Sequence, residues 1–271
     1  DCTTSSSMPS HQGYRPLVTT TLAIDYYLAG ELKPFWFHVS SFTFFLSIVL
    51  LLFPVQRSLY STFVSEPLAS YLSLLGCAWY GLHTANAETV NYIISRSDIL
   101  STLAVVGSFA IYLQWPGARK YYLYLLPAAL GMFAKETTIM FAPALVAYDY
   151  MIAQRKSLKD LFTLKEISGF FKSILHGLPA LAVCVALALF TIKMTAKHEP
   201  GGSSVLLYAA TQPYIILHYV VQFFFPLGLT ADTDIPLVTA WSDDRIYIGF
   251  AFLAGLIGLA VYTSAKIGRA S

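Results

Sequence analysis

The sequence predicts an all-α, polytopic bundle of transmembrane helices. Of its 271 residues, 56% are hydrophobic and only 12% are charged, and the mean hydropathy is +0.60. A soluble domain keeps about a quarter of its residues charged, so water is not the main solvent of this chain. The apolar residues also form blocks about as long as the ~20 residues that a helix needs to cross the hydrocarbon core.

Seven apolar blocks qualify as membrane spans, and an eighth stretch is ambiguous. The seven blocks are 34–54, 67–82, 99–115, 121–133, 138–152, 174–194 and 246–265. The eighth stretch, 205–229, is long enough to cross, but it contains Gln212, Pro213 and His218, so we expect it to lie in the outer interface or dip into it. We therefore expect seven to eight spans in one transmembrane domain, 34–271. An outer-face loop with an interfacial helix, 1–33, precedes it.

The positions of lysine and arginine predict how the bundle is oriented. The loop 153–173 carries five cations against two carboxylates, which is typical of a cytoplasmic loop. By alternation the opposite, extracytoplasmic side receives the loops 1–30, 83–98, 134–137 and 195–204. These loops mix His, Glu, Asp, Arg and Lys, so the polar chemistry is predicted to gather on that side. We expect an integral membrane protein, with a bacterial inner membrane favoured over the endoplasmic reticulum.

Charge and cysteine usage exclude several other classes. The net charge of +2 and the absence of a basic stripe exclude nucleic acid as a partner. Cys77 and Cys184 lie in apolar blocks, where a thiol acts as a small hydrophobe, and the three cysteines form no disulfide framework. The histidines have no metal-ligand spacing, so we predict no metal site and no certain cofactor.

The stretch 83–98, between two predicted spans, is the most informative segment. It contains His83, Glu88, Arg96 and Asp98. The alternative for any one of them is a capped interfacial turn in which Arg96 extends toward lipid headgroups. Ionisable groups near a bilayer are costly and tend to face a cavity or a partner, so for the four together we favour a site. Glu88 and Asp98 are the candidates for a catalytic carboxylate.

Three further segments supply candidate binding residues. Lys135 and Glu136 form a charged pair in a loop too short to leave the interface, although a cation reaching headgroups and a helix-start carboxylate would explain them equally well. Lys135 and Arg15 are both suited to a phosphate. Asp232 begins an Asp-x-Asp pattern that soluble nucleotide-sugar transferases use for a metal, but the companion strand–helix alternation is missing. We expect Asp232 to belong to a loop that covers the outer site.

The ordered set of these segments resembles a known family. The stretch from His83-Thr-Ala-Asn-Ala-Glu88 through Ser-Arg96-Ser-Asp98 looks like the outer loop of the transmembrane and tetratricopeptide-repeat O-mannosyltransferases and their bacterial relatives. In the family's order, the chain also contains Tyr-Arg15-Pro-Leu with Leu-Ala-Ile-Asp25-Tyr, then Ala-Lys135-Glu136-Thr, and then Phe-Pro-Leu-Gly-Leu-Thr-Ala-Asp232. These proteins are C-type (GT-C) membrane glycosyltransferases.

The resemblance implies a GT-C-like bundle with a cavity that opens to the bilayer on the extracytoplasmic face. There a sugar, mannose-like, passes from a polyprenyl-phosphate donor to a hydroxyl of a protein or glycan in one inverting step. Arg15, His83, Arg96, Lys135, Glu136 and Asp232 would bind the substrates. Two departures from the family pattern matter: the first span with the acidic residues of the first outer loop, and the tetratricopeptide repeats, are absent or lie outside residues 1–271.

Two hypotheses of function follow. In the first, the chain is a polyprenyl-phosphate-dependent glycosyltransferase in contact with membrane lipid and its donor. In the second, it is a non-catalytic GT-C-like subunit of a larger membrane complex, with other protein subunits as partners. A transporter is disfavoured because no pair of Gly/Pro-broken spans recurs between the halves.

Overall fold

The computed structural model describes residues 13–163, 167–195, 205–229 and 235–267, and within these ranges the regular structure is entirely helical. Short 3₁₀ segments occur at Ile93–Ser95, Glu136–Met140 and Leu158–Phe162, and a π-helical turn at Asp149–Ala153. The α-helices of the described ranges are α1 Pro16–Ala29, α2 Pro34–Tyr60, α3 Glu66–Leu82, α4 Asn86–Asn91, α5 Arg96–Gln114, α6 Pro116–Lys120, α7 Leu125–Met132, α8 Phe141–Tyr148, α9 Ile167–Met194, α10 Val205–Phe224 and α11 Asp244–Ile267. The predicted all-α class is confirmed.

Four helical segments of the described chain are long and apolar enough to cross a membrane. They comprise 22 to 28 residues, or about 33–42 Å at the rise of an α-helix. They are Pro34–Tyr60, Ile93–Gln114, Ile167–Met194 and Asp244–Ala265. The protein is therefore an integral membrane protein, whereas the predicted count of seven to eight spans is not confirmed.

Local backbone breaks explain much of the difference in span count. The predicted blocks 121–133 and 138–152 contain α7 and α8, which have eight residues each, about 12 Å of helix. Tyr122, with a φ of 55°, adopts a left-handed conformation before α7, and Lys135, three residues after the end of α7, is extended. By contrast, α2 continues through Pro54, its predicted end, to Tyr60. Gln114 of α5 donates a hydrogen bond to the Pro54 carbonyl, which ties this part of α2 to the end of α5.

The helices alternate between two ends of the bundle. Arg57 at the end of α2 pairs with Glu66 at the start of α3, and Gln114 at the end of α5 reaches Ser58, so these residues share one end. We call it the basic end; it also contains the segment 149–163. The opposite end, where α3 stops and α5 begins, is called the site end.

Two helices, α1 and α10, lie across the site end. Near its start α1 donates from the Leu17 N–H to the Phe133 carbonyl, and near its end it contacts the first turn of α5. In α10, Ala210 packs against Ile246 in the first turn of α11, while the other end of the helix contacts the end of α3. Both halves of α10 therefore contact segments at the same end of the bundle. This is the arrangement expected if 205–229 follows the outer surface instead of crossing, and its topology relative to a membrane stays a prediction.

Small residues allow the helices around the site to approach closely. A Cβ atom built on Gly131 of α7 would lie 2.4 Å from the Cβ of Ala104 on α5 and 2.8 Å from Cγ2 of Thr138. Because real Cβ atoms do not come so close, only glycine fits between these elements. This contact holds the loop after α7 against the first half of α5.

Candidate functional site

Four ionisable side chains meet at the site end with a buried hydroxyl. Nζ of Lys135 lies 2.6 Å from Oδ1 of Asp98, and a guanidinium nitrogen of Arg15 lies 4.0 Å from Oε1 of Glu136. The same guanidinium donates to Oγ of Ser97, at 3.4 Å. We call Arg15, Ser97, Asp98, Lys135 and Glu136 the ionic cluster. It brings together four of the residues predicted from the sequence to form a site.

The loop that carries Lys135 is held by hydroxyl groups. Oγ of Ser101, one turn into α5, lies 3.0 Å from Oγ1 of Thr137 and 2.8 Å from Oγ1 of Thr138. Ser101 and Thr138 are buried, so the hydrogen bond between them is shielded from competing water. The extended backbone at Lys135 then directs the loop past the start of α5. As a result, the lysine and Asp98 sit on adjoining segments.

Arg15 is positioned from two sides. It precedes α1, whose first turn hydrogen-bonds to the carbonyl of Phe133. The N–H of the preceding Tyr14 donates to Oγ1 of Thr195 at the end of α9, at 3.3 Å. The cluster therefore depends on four separate parts of the chain: the start of α1, the start of α5, the loop after α7 and the end of α9.

Both cations of the cluster retain capacity for another acceptor. Arg15 carries five N–H donors, and the contacts described above are a long hydrogen bond and a 4.0 Å ion pair. Lys135 has three donors and makes its short contact with Asp98 alone among the described residues. Both side chains are partly exposed. An anion can therefore reach them if Glu136 moves aside.

Arg96 differs from the other predicted binding residues because it is completely buried. Its guanidinium donates to Oδ2 of Asp25 at 2.5 Å, to the Phe37 carbonyl at 2.7 Å and to Oγ of Ser41 at 3.2 Å. Its side chain is 0% exposed and that of Asp25 is 9% exposed. The geometry thus makes Arg96 a junction between α1, α2 and α5. It does not bring Arg96 to the surface where a donor phosphate would lie.

His83 and Glu88 lie at the site end, but within the described part of the chain neither forms a hydrogen bond or ion pair with the ionic cluster. Nε2 of His83 is 2.8 Å from the carbonyl of Phe223, and the two rings stack with centroids 5.3 Å apart. His83 thereby joins the end of α3 to the end of α10. Glu88 is exposed on the short helix α4. The predicted roles of these two residues stay predictions.

Two further sequence predictions concern Asp232 and metal binding. Asp232 lies outside the described residues. Among the residues that the structure describes, no group of three or more His, Cys, Asp or Glu side chains is arranged to hold a metal ion. The ionic cluster itself pairs each carboxylate with a cation, which leaves no pair of free carboxylates for a divalent ion.

Sequence reasoning placed Asp25 in a motif of the family but did not assign it to the site. Its signal was present: Asp25 is the only charged residue of α1 and sits in an otherwise apolar and hydroxyl-bearing helix. Such a carboxylate requires a partner. The pattern could not say that the partner is Arg96, 71 residues later, or that Ser40 donates a second hydrogen bond to the carboxylate, at 2.6 Å.

The fold and site define a class: a helical integral membrane protein with paired charges collected at one end of the bundle. Comparison with curated proteins confirms the family resemblance seen in the motifs, because the chain is similar to protein O-mannosyl-transferases. No family model matches the chain, and no solved structure matches it.

Three relatives illustrate the extent of the similarity. The mouse protein O-mannosyl-transferase TMTC4 is 34% identical over 115 residues, which are 40% of this chain and 16% of the relative. The mouse protein O-mannosyl-transferase TMTC3 is 24% identical over 97% of this chain and 30% of the relative. The Drosophila melanogaster protein O-mannosyl-transferase Tmtc3 is 28% identical over 54% of this chain and 18% of the relative. The chain thus spans less than a third of the length of each of these relatives.

Proposed function

We propose that this chain contributes the donor-binding part of a membrane glycosyltransferase. The enzyme would transfer a mannose-like sugar from a polyprenyl phosphate to a hydroxyl group of a protein or glycan. The observation that carries the proposal is the ionic cluster, in which two segments with the family's motifs, around Arg15 and Lys135, meet the start of α5. The names of the relatives support the reaction class.

The cations would bind the phosphate of the donor. During transfer the bond between the sugar's anomeric carbon and the phosphate oxygen breaks, and that oxygen keeps the electron pair. Arg15 and Lys135 are the cluster residues able to stabilise this charge, Arg15 through its planar fork and Lys135 as a point charge. The segments that carry both cations are held by neighbouring hydrogen bonds, so phosphate binding requires chiefly that the Glu136 side chain move aside.

A carboxylate would take the proton of the acceptor hydroxyl as its oxygen attacks the anomeric carbon. Asp98 is the better placed of the two candidates, since it stands beside Lys135 and next to Ser97, which contacts Arg15. Glu88 is the second candidate. A single displacement of this kind inverts the configuration at the anomeric carbon.

An apolar cavity along the helix that follows Arg15 suits the isoprenoid chain of such a donor. The cavity, of about 540 Å³, lies along α1 and the start of α2 and is lined mainly by Leu22, Ala23, Tyr26, Phe37 and Ile93. Arg15 precedes the helix whose later turns form this wall. A donor could thus have its phosphate at the start of α1 and its chain along the same helix.

The membrane and its side are further parts of the proposal. The loop charges favour an extracytoplasmic location for the site end. The three relatives described above are animal proteins, which does not favour the bacterial inner membrane expected from the sequence. We propose a eukaryotic membrane that carries polyprenyl-phosphate sugars.

The test is binding of a short-chain polyprenyl-phosphate mannose to the purified chain in detergent. We expect Lys135→Ala to weaken binding by about ten-fold or more, since a hydrogen bond to a charged group contributes about 1.5–3 kcal/mol. The matched control is Lys33→Ala, which removes another lysine from the site end, one paired with Glu31 and more than half exposed. Transfer of mannose to a Ser/Thr peptide is measured in parallel.

The outcomes separate the alternatives. Equal losses in both variants, or no loss in Lys135→Ala, would contradict the ionic cluster as the donor site. Specific donor binding without transfer would favour the non-catalytic subunit. This result must hold both for the chain itself and for the chain fused to those segments of its relatives that lie outside residues 1–271. Asp98→Asn is expected to abolish transfer and leave donor binding in place.

A further inference from the structure

We propose that His83 is a positioning residue, which latches the last turn of α10 to the end of α3 and so holds the segment after α10 over the site end. This role differs from the substrate binding predicted from the sequence. The latch joins two segments that carry the family's motifs, the one that begins at His83 and the one that contains Pro226. The latch stands on contacts within the protein, whereas its effect on the donor rests on the proposed transferase function.

The first observation is a carbonyl without a helical partner in the last turn of α10. In a continuing helix, the carbonyl of Phe223 would accept from the N–H of residue 227. Pro226 has no N–H and does not continue the helix, and the N–H of Leu227 donates instead to the Phe225 carbonyl, at 2.7 Å. The helix therefore ends at Phe224, and the carbonyl of Phe223 is left for a donor from outside the helix.

The second observation is how His83 supplies that donor. Nε2 of His83 lies 2.8 Å from the carbonyl oxygen of Phe223. On the other side of the ring, the N–H of Ala85 lies 3.2 Å from Nδ1, so Nδ1 is the acceptor. Both neighbours fit the neutral ring with its hydrogen on Nε2, which donates to the carbonyl. The turn that carries the ring is itself held, since the side chain of Asn86 donates to the Tyr80 carbonyl, at 2.6 Å.

The third observation is where the two halves of α10 are attached. The rings of His83 and Phe223 stack with centroids 5.3 Å apart and 12° between their planes. Trp79, one turn earlier in α3, meets the ring of Phe223 at 6.0 Å with its edge. In the first half of α10, Oγ1 of Thr211 accepts from the N–H of Val238, at 3.2 Å, in the segment that leads into α11. The first half of α10 is thus fastened towards α11, and its last turn to α3.

The test of the latch is amide hydrogen exchange of the purified protein in detergent, followed in the last turn of α10. His83→Phe keeps a ring for stacking and removes the Nε2 donor. Exchange in that turn should become about two- to ten-fold faster, the effect of losing one neutral hydrogen bond. His83→Gln keeps a side-chain N–H donor and should restore most of the protection. The control is His38→Phe, which changes a histidine near the start of α2 and should leave α10 unaffected.

The variant Pro226→Ala gives an independent check. Without the proline the helix can continue, and the N–H of Leu227 becomes available to the carbonyl of Phe223. His83→Phe should therefore change hydrogen exchange less in the Pro226→Ala background than in the unaltered protein. Equal effects in the two backgrounds, or no faster exchange in His83→Phe alone, would overturn the latch.

The effect on the donor is measured in the transfer assay. His83→Phe should raise the KM for the donor about two- to ten-fold and keep kcat, because the ionic cluster is unaltered while the segment after α10 is held less firmly. A purely structural role would reduce the amount of active protein, and so lower kcat at an unchanged KM. That result, or no change in either constant, would overturn the positioning role. Hydrogen exchange needs no donor, so an unaltered chain that fails to bind donor would contradict the proposed function and leave the latch to be judged by exchange.

Discussion

Replacing Arg96 by methionine should destabilise the protein more than it impairs donor binding. The substitution keeps most of the side-chain length and removes the three hydrogen bonds to Asp25, Phe37 and Ser41. It leaves the Asp25 carboxylate buried, with only the hydroxyl of Ser40 as a remaining side-chain donor among those described. A buried charge without its counter-ion is the costly consequence.

The magnitude follows from the burial of the pair. Breaking a buried ion pair from one side costs about 3–5 kcal/mol. At about 2–4 °C per kcal/mol for a chain of this size, the melting temperature should fall by roughly 6–20 °C. Removing both charges, in Asp25→Leu/Arg96→Met, should restore most of the loss, because well-packed apolar side chains often replace a buried pair at little cost.

The assay is thermal unfolding of the purified variants in one detergent, followed by tryptophan fluorescence, with donor binding measured well below the transition. A nearly unchanged melting temperature of Arg96→Met together with a large loss of donor binding would refute this reasoning. It would return Arg96 to the role of phosphate ligand predicted from the sequence. If the loss of stability in the double variant equals the sum of the losses in the two single variants, the assignment of a single coupled pair is also contradicted.

Two other predictions concern packing and pH. Gly131→Val should cost about 1–3 kcal/mol of stability, because a Cβ there would lie 2.4 Å from the Cβ of Ala104. The control is Gly255→Ala, which has open space around it and should leave the melting temperature unchanged in the same thermal unfolding assay. Hydrogen bonds from the neighbouring arginine lower the pKa of Asp243 to about 2. The resulting stabilisation is present above the usual aspartate pKa of about 3.9 and is lost as pH falls through about 2. Thermal unfolding between these pH values should therefore be less pH-dependent in Asp243→Asn, and an unchanged pH profile would contradict the assignment.

Local sequence signals predicted the parts of the fold that depend on local physics. The long apolar runs in α2, α5, α9 and α11 were recognisable because a membrane span needs length and few charges, and both are properties of a contiguous stretch. The predicted spans that contain α7 and α8 were not confirmed, since composition does not reveal the backbone breaks at Tyr122 and Lys135. A one-residue change of conformation is too local for a hydropathy window to detect.

The sequence by itself determined that this protein is a helical membrane protein, that its polar chemistry lies between the spans, and that its motifs resemble those of O-mannosyltransferases. Each of these statements rests on residue type and spacing along the chain. Only the tertiary structure decided which polar residues meet: Lys135 with Asp98, Arg15 near Glu136, and Arg96 with Asp25 in the interior. Ion pairing depends on distances of a few ångströms between segments far apart in the chain, and such distances are set by how the helices pack.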